Sequence, residues 1–170
     1  MKIEILKYDP DWVRKYTEIR IILESALKSI SPVIEHVGST SVPGLDSKPV
    51  IDILIGVNDL KETDQMIPVM KKLGYEYVSE YETEIPGRRY FKKKDTEHIH
   101  TVVFGSEFWY RLIMFRDYLR LTKKVREEYS ILKKELSVKE WITSNEYASA
   151  KTEFVKKIEK EAEIYFNRKG

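Results

Sequence analysis

A chain of 170 residues with 42% hydrophobic and 34% charged side chains has material for one ordinary globular domain with a well-solvated surface, which excludes bulk disorder. It contains no cysteine, which excludes a disulfide framework and any thiolate metal site. Net charge is only +2, yet residues 85–126 hold eleven Lys/Arg against four Asp/Glu, a local excess that suits an anionic partner.

In chain order, "YDPDWVRKYTEIRIILESALKSI" offers Asp9 as N-cap and Pro10 at the first helical position. Trp12, Tyr16, Ile19, Leu23, Leu27 and Ile30 follow at three- and four-residue spacing and predict an amphipathic helix over about 10–29. "PVIEHV" predicts a short strand ended by Gly38, and "PVIDILIGV" a strand too apolar to have a wet face; the loop between them, 38–48, is rich in Gly, Ser, Thr and Pro. "NDLKETDQMIPVMKKLG" predicts a helix stopped by Gly74, with Pro68 as a point of kinking or shortening. Three strands are then expected, "YEYVSEY", "RRYFKK" and "EHIHTVVF", the last two joined by a charged turn near "KDTE". From Ser106 onward "SEFWYRLIMFRDYLRLT", "KKVREEYSILKKELS" and "NEYASAKTEFVKKIEKEAEIYF" each read as helix. The expectation is a single α+β domain over 1–170, with a sheet core and flanking helices in 1–105 and a helical part in 106–170.

No run approaches the roughly 18 apolar residues of a membrane span. The opening "MKIEILKYDPDWVRKY" lacks the apolar stretch of a signal peptide, so a soluble cytoplasmic protein is expected.

An acid, Asp52, interrupts the most apolar strand. Alternation puts Val50, Asp52 and Leu54 on one face and Ile51, Ile53, Ile55 and Val57 on the other, the natural core face. Asp52 is then either a strand-edge acid bonded to the Ser39 or Thr40 hydroxyls or loop amides, or part of a ligand site. Gly38 with Ser39, Thr40 and Ser41 makes a small-residue turn suited to close approach by phosphate oxygens, although the P-loop spacing is absent, and Lys48 adds a cation in the same loop. The three histidines are His36, two residues before Gly38, and His98 and His100, which share one strand face. A His-x-His pair can bind metal or shuttle protons, or consist of half-buried polar residues, and with Asp52 it would give a two-histidine, one-carboxylate set.

"GRRYFKKK" places Arg88, Tyr90 and Lys92 on one face and Arg89, Phe91 and Lys93 on the other; the guanidinium groups suit phosphate, whereas Lys93 and Lys94 read as a solvated hairpin edge. Arg116, Asp117 and Arg120 read as a helix-stabilising set, Tyr129 and Lys133, four apart, fit surface positions, and as tail aromatics Tyr118, Tyr129, Tyr147 and Phe154 read as core rather than as a base-stacking platform.

"HVGSTSVPGLDSKPVIDI", "GRRYF", "HIHTVV", "FRDYLR" and "Y..LK..L", in this order from about Asp9 to Phe154, resemble the GrpB family, which also occurs fused behind dephospho-CoA kinase. The resemblance implies a nucleotidyltransferase fold of the DNA polymerase β palm type, and a metal-dependent transfer of a nucleotidyl group from a nucleoside triphosphate to an acceptor. Gly38 and Ser39 match the turn that handles the triphosphate, and Asp52 matches the first acid of an acid-x-acid pair that holds two Mg²⁺ ions. Leu54 stands in place of the second acid, and His98 and His100 lie where a third carboxylate is expected. Under this reading Asp52, His98 and His100 hold the divalent ion, Mg²⁺ or Mn²⁺ with Zn²⁺ open to the histidines, and one histidine serves as base. Gly38, Ser39, Thr40, Ser41, Lys48, Arg88, Arg89 and Arg116 receive the phosphates.

The alternative is a non-catalytic nucleotide- or phosphometabolite-binding protein, linked to coenzyme A metabolism through the fusion partner. A nucleic-acid partner has little support, because the positive excess is confined to one segment. A hydrolase built on Ser39 or Ser41 with His36 lacks the G-x-S-x-G elbow.

Overall fold

The computed structural model describes residues 1–169. Helix α1 (Asp11–Ala26) starts where the Asp9 carboxylate accepts a hydrogen bond from the Asp11 amide at 2.9 Å, as the sequence led us to expect. Strand β1 (Val33–Val37) leads through Gly38 into a single 3-10 turn, Ser39–Ser41, and then to β2 (Ile51–Val57). A second 3-10 turn, capped by Asp59, opens α2 (Thr63–Lys72), which runs through Pro68 without ending there.

The predicted strand at 75–81 is mostly absent: only β3 (Glu76–Tyr77) pairs with the sheet, and Tyr81–Glu84 forms one helical turn, α3. Tyr81 instead packs its ring on Tyr90, with centroids 5.2 Å apart. Strands β4 (Arg89–Lys93) and β5 (Glu97–Val103) follow as predicted, and then α4 (Glu107–Leu121) and α5 (Lys123–Ser137). The last predicted helix is two, α6 (Ser144–Ala150) and α7 (Thr152–Lys169), with Lys151 at the joint. No helix among the described residues is long and apolar enough to cross a membrane.

The sheet order is β1-β2-β5-β4-β3, antiparallel except for the parallel β2–β5 pair at its centre. Alternation along β2 divides two cores. Ile51, Ile53, Ile55 and Val57 pack with Trp12, Tyr16, Leu23 and Leu27 of α1 and Met66 and Met70 of α2. On the opposite face Leu54 packs with Val37, Val102 and Trp109 of α4. Gly56 lets that helix approach, because a Cβ there would stand 2.7 Å from the Trp109 ring. The rest of this second face, around Asp52 and the β5 histidines, is left to a cleft closed by α5 and α6.

Candidate functional site

The register of the central pair assembles the site. Asp52 lies beside His98 and Leu54 beside His100 in the β2–β5 pairing, and across β4–β5 Lys92 lies beside His98 and Tyr90 beside His100. Asp52, His98, His100, Tyr90, Lys92 and Arg88 therefore open on one cavity of about 350 Å³, which Ser39, Lys48, Lys133, Tyr147 and Lys151 also line. The predicted strand parity holds at both strands.

Hydrogen bonding fixes the protons at its centre. The Arg88 Nη1 donates to His100 Nδ1 at 3.3 Å, and His100 Nε2 donates to Asp52 Oδ1 at 3.2 Å. A guanidinium only donates, so Nδ1 accepts, and the proton of the neutral ring sits on Nε2. The His100 pKa is lowered accordingly: burial disfavours its charge and Arg88 adds repulsion, together outweighing the attraction of Asp52. Burial works to raise the Asp52 carboxyl, but the interactions with His100 and His98 outweigh burial and hold it well below the usual carboxylate range. Asp52 is thus an ionised carboxylate about a quarter exposed to the cleft, with His98 Nδ1 3.6 Å from the same Oδ1. Its partners are the histidines and not the Ser39 or Thr40 hydroxyls.

Gly38 is what lets the turn cross this carboxylate. Its φ of +72° and ψ of −176° are nearly confined to glycine, and a Cβ at that position would lie 2.5 Å from Asp52 Oδ2. Within the turn the hydroxyls differ. The Thr40 Oγ1 donates to the Val50 carbonyl at 2.9 Å and accepts from His36 Nε2 at 3.0 Å, while Ser41 Oγ donates to the Gly38 carbonyl at 2.5 Å. Both residues are buried and turned inward, so of the three hydroxyls expected to meet phosphate only Ser39 lines the cleft. His36 is a scaffold residue as well: its ring stacks on Tyr16 at 4.7 Å, and burial lowers its pKa to about 4.

Two arginines expected at the phosphates lie elsewhere. Arg116 is 9% exposed and spends its guanidinium on Glu35 at 2.8 Å, the His36 carbonyl at 3.0 Å and Asp117 at 2.8 Å. Its helix lies on the face of β1 that carries Glu35 and Val37, where Arg116 ties α4 to the strand leading into the turn. Arg120 continues this role, donating twice to the Ser41 carbonyl at 2.9 and 3.0 Å. The pair therefore does more than stabilise its own helix. Arg89, on the opposite face of β4 from Arg88, donates to the Pro86 carbonyl and pairs with Glu82 at 3.4 Å.

Two cleft residues escaped the sequence reading. Lys133, expected at the surface, is 2% exposed, with its Nζ 4.4 Å from the Tyr129 ring centroid. Lys151 reaches the cleft because the helical tail breaks beside it. A signal for Lys133 was present: it lies on the stripe of α5 that carries Val125, Tyr129 and Leu136, all buried.

The donor set does not fit a pair of Mg²⁺ ions. Two carboxylates line the cavity, Asp52 on β2 and Asp95 in the turn between β4 and β5, and the position two residues on from Asp52 is Leu54, fully enclosed by Val37, Val102 and Trp109. His100 has one ring nitrogen receiving Arg88 and the other carrying the proton shared with Asp52, which leaves it no lone pair for an ion. Among the described residues no group of three or more His, Asp or Glu side chains is arranged to hold a metal. The same occupancy denies His100 a free lone pair for the predicted role of base.

Against known proteins, the model of a family described as GrpB protein matches residues 2–161. The chain is 36% identical over 164 residues to the UPF0157 protein YqkA of Bacillus subtilis, covering 95% of this chain and 47% of YqkA, so it spans about half that relative's length. It is 37% identical over 161 residues to the UPF0157 protein BH1888 of Halalkalibacterium halodurans, covering 94% of this chain and 82% of that protein. The crystal structure of the conserved protein GrpB from Enterococcus faecalis superposes with a TM-score of 0.86 at 36% identity, over 96% of this chain and 99% of that one. The GLD-2/RNP-8 complex matches at a TM-score of 0.54 with 12% identity, over 76% of this chain and 54% of that one. A cytoplasmic RNA terminal U-transferase matches at 0.50 with 15% identity, over 75% and 40% respectively. These last two likenesses carry the nucleotidyltransferase fold alone. With a family match across almost its whole length, the chain belongs to the GrpB family.

Proposed function

We propose that the cleft binds a phosphate-bearing small molecule, with a nucleoside triphosphate as the class that fold and charge jointly favour. The observation that carries this reading is the convergence of the Lys48, Arg88, Lys92 and Lys151 cations, with the buried Lys133 amine, on one cavity whose acids are Asp52 and Asp95. Asp52 is already engaged by His98 and His100, so the cations stand in excess and call for an anion from solution. Tyr81, Tyr90 and Tyr147 on the walls supply faces for a base or another flat group. The test is a thermal-shift panel of nucleoside triphosphates, inorganic phosphate and coenzyme A precursors in EDTA, run with wild type and Arg88→Gln. A shift by a phosphate-bearing compound that the variant weakens supports the reading; a flat panel overturns it.

Nucleotidyl transfer is the second reading, favoured by the ionised Asp52 standing against the Gly38 turn in this fold. It expects the nucleotide shift to require Mg²⁺, Mn²⁺ or Zn²⁺, and Asp52→Asn to abolish pyrophosphate release while the chain stays folded. A shift that persists in EDTA, with no pyrophosphate released under any of the three ions, leaves binding alone.

A further inference from the structure

The cations of the cleft fall into two groups on either side of Asp52. Arg88 sits with Tyr81, Tyr90 and His100 on the sheet wall. Lys133 and Lys151, with Lys48, sit against Tyr129 and Tyr147 on the helical wall. The charge of Asp52 is felt on both sides, at Tyr90 and at the two buried lysines.

The helical wall is short of acceptors. Lys133 Nζ and Tyr147 Oη are both buried polar atoms with no hydrogen-bond partner among the described residues. The acids that act on Lys133 are Asp46 and Asp52. Asp46 is spent on Lys134 at 2.6 Å and on the Tyr8 amide at 3.3 Å, and Asp52 on the histidines. Around Lys133 stand Lys151, which repels its charge, Lys48, whose Nζ lies over the Tyr147 ring, and the Tyr129 and Tyr147 phenols, whose pKa values are raised, chiefly by burial, so that both stay neutral at physiological pH. An ammonium placed there has three donors to satisfy and no ion-pair partner among the described residues.

We propose that this wall is a distinct subsite for a terminal phosphate group, in which the anion supplies the partner that the buried Lys133 amine and Tyr147 hydroxyl lack. The inference rests on the cleft being a phosphate site and adds that its ligand carries at least two linked anionic groups, one for each wall. Burial, reinforced by Lys151, keeps the Lys133 amine far below an ordinary lysine pKa, and Lys151 is itself lowered to about 8. An incoming dianion reverses the balance, since a desolvated ammonium beside a phosphate is favoured where the same ammonium alone is not.

Calorimetric titration of the full chain with pyrophosphate and with sulfate at pH 7.5 in EDTA, repeated in buffers of different ionisation enthalpy, gives affinities and counts the protons exchanged. Wild type is compared with Lys133→Met, which keeps the side chain to Cε without the amine; protons are counted with sulfate, which brings none at this pH, because pyrophosphate can itself supply the proton. The expected result is greater proton uptake by wild type than by the variant on binding sulfate, with pyrophosphate held at least about ten-fold more weakly by the variant, the loss of one charge-assisted contact. Equal proton counts, or equal affinities, overturn the subsite while leaving the phosphate cleft standing. No binding of pyrophosphate or inorganic phosphate to wild type overturns both. Should the variant not fold, wild type titrated with sulfate, which carries no proton at this pH, decides: uptake supports the subsite and its absence refutes it.

Discussion

Replacing Gly38 by Ala tests how the turn and Asp52 depend on each other. Alanine must adopt φ of +72° with ψ of −176°, a region nearly closed to any residue with a Cβ, at a cost on the order of 1–3 kcal/mol. The new methyl also stands 2.5 Å from Asp52 Oδ2, 2.9 Å from its Cβ and 3.0 Å from its Cγ. The carboxylate cannot swing aside freely, because its other oxygen is held by His100 at 3.2 Å and His98 at 3.6 Å. Overpacking of this kind adds roughly another 1–3 kcal/mol. Gly38→Ala is therefore expected to lose about 2–6 kcal/mol in urea unfolding, with an unchanged m-value. In a double-mutant cycle Asp52→Ala removes the two contacts to Oδ2 and Cγ, so the combined variant should be more stable than the sum of singles by about 1 kcal/mol or more. An additive cycle would show that the glycine serves backbone conformation alone. A loss for Gly38→Ala below about 0.5 kcal/mol would refute the whole argument, strain included.

Three further expectations follow from buried groups. His36 stays neutral down to pH about 4, whereas an unfolded histidine protonates near 6.5, so the unfolded chain binds the extra proton and stability falls as pH drops through that window. The loss approaches about 3 kcal/mol, and His36→Phe should flatten the stability profile between pH 6.5 and 4; a variant with the slope of wild type contradicts this. Arg116→Met strands the His36 carbonyl and Glu35 and should cost about 2 kcal/mol by chemical denaturation, against a change under about 0.5 kcal/mol that would show these bonds to be dispensable. Leu54→Asp restores the acid-x-acid pattern only on paper: the carboxylate would enter the Val37, Val102 and Trp109 cluster, with an expected loss of at least about 3 kcal/mol, and a melting temperature equal to wild type would sink that expectation.

Much of this architecture was legible residue by residue. Alternation in "PVIDILIGV" and "RRYFKK" told which side chains share a face, because period two needs no knowledge of neighbours. The parallel pairing that sets Asp52 beside His98 was not legible, since register across 45 intervening residues depends on both cores at once. Arg116 and Arg120 misled for a related reason: an Asp/Arg spacing reads the same whether the helix faces water or a backbone carbonyl. Tyr81 has the composition of a strand residue, and tertiary contacts with Tyr90 and Arg88 drew it into a helical turn instead. Lys133 was the most informative miss, because a lysine on an apolar stripe is ordinarily assigned to the rim, where its stem can snorkel.

The central β2–β5 pair also bears on when the cleft comes into being. Its two strands are distant in the chain and lie parallel, so their loop-closure entropy must be met before any contact between them forms. Until they dock, Asp52 has no histidines; a slip of one residue would turn both histidines into the α1 core and bring Ile99 out beside the carboxylate. The helical wall arrives from still further along, on α5 and the joint before α7. A partly folded chain can thus hold native β1–β2 hairpin structure and a formed Gly38 turn while being blind to any ligand of the cleft. Recovery of anion binding during refolding would mark the locking of the sheet's middle, and would lag behind the recovery of secondary structure.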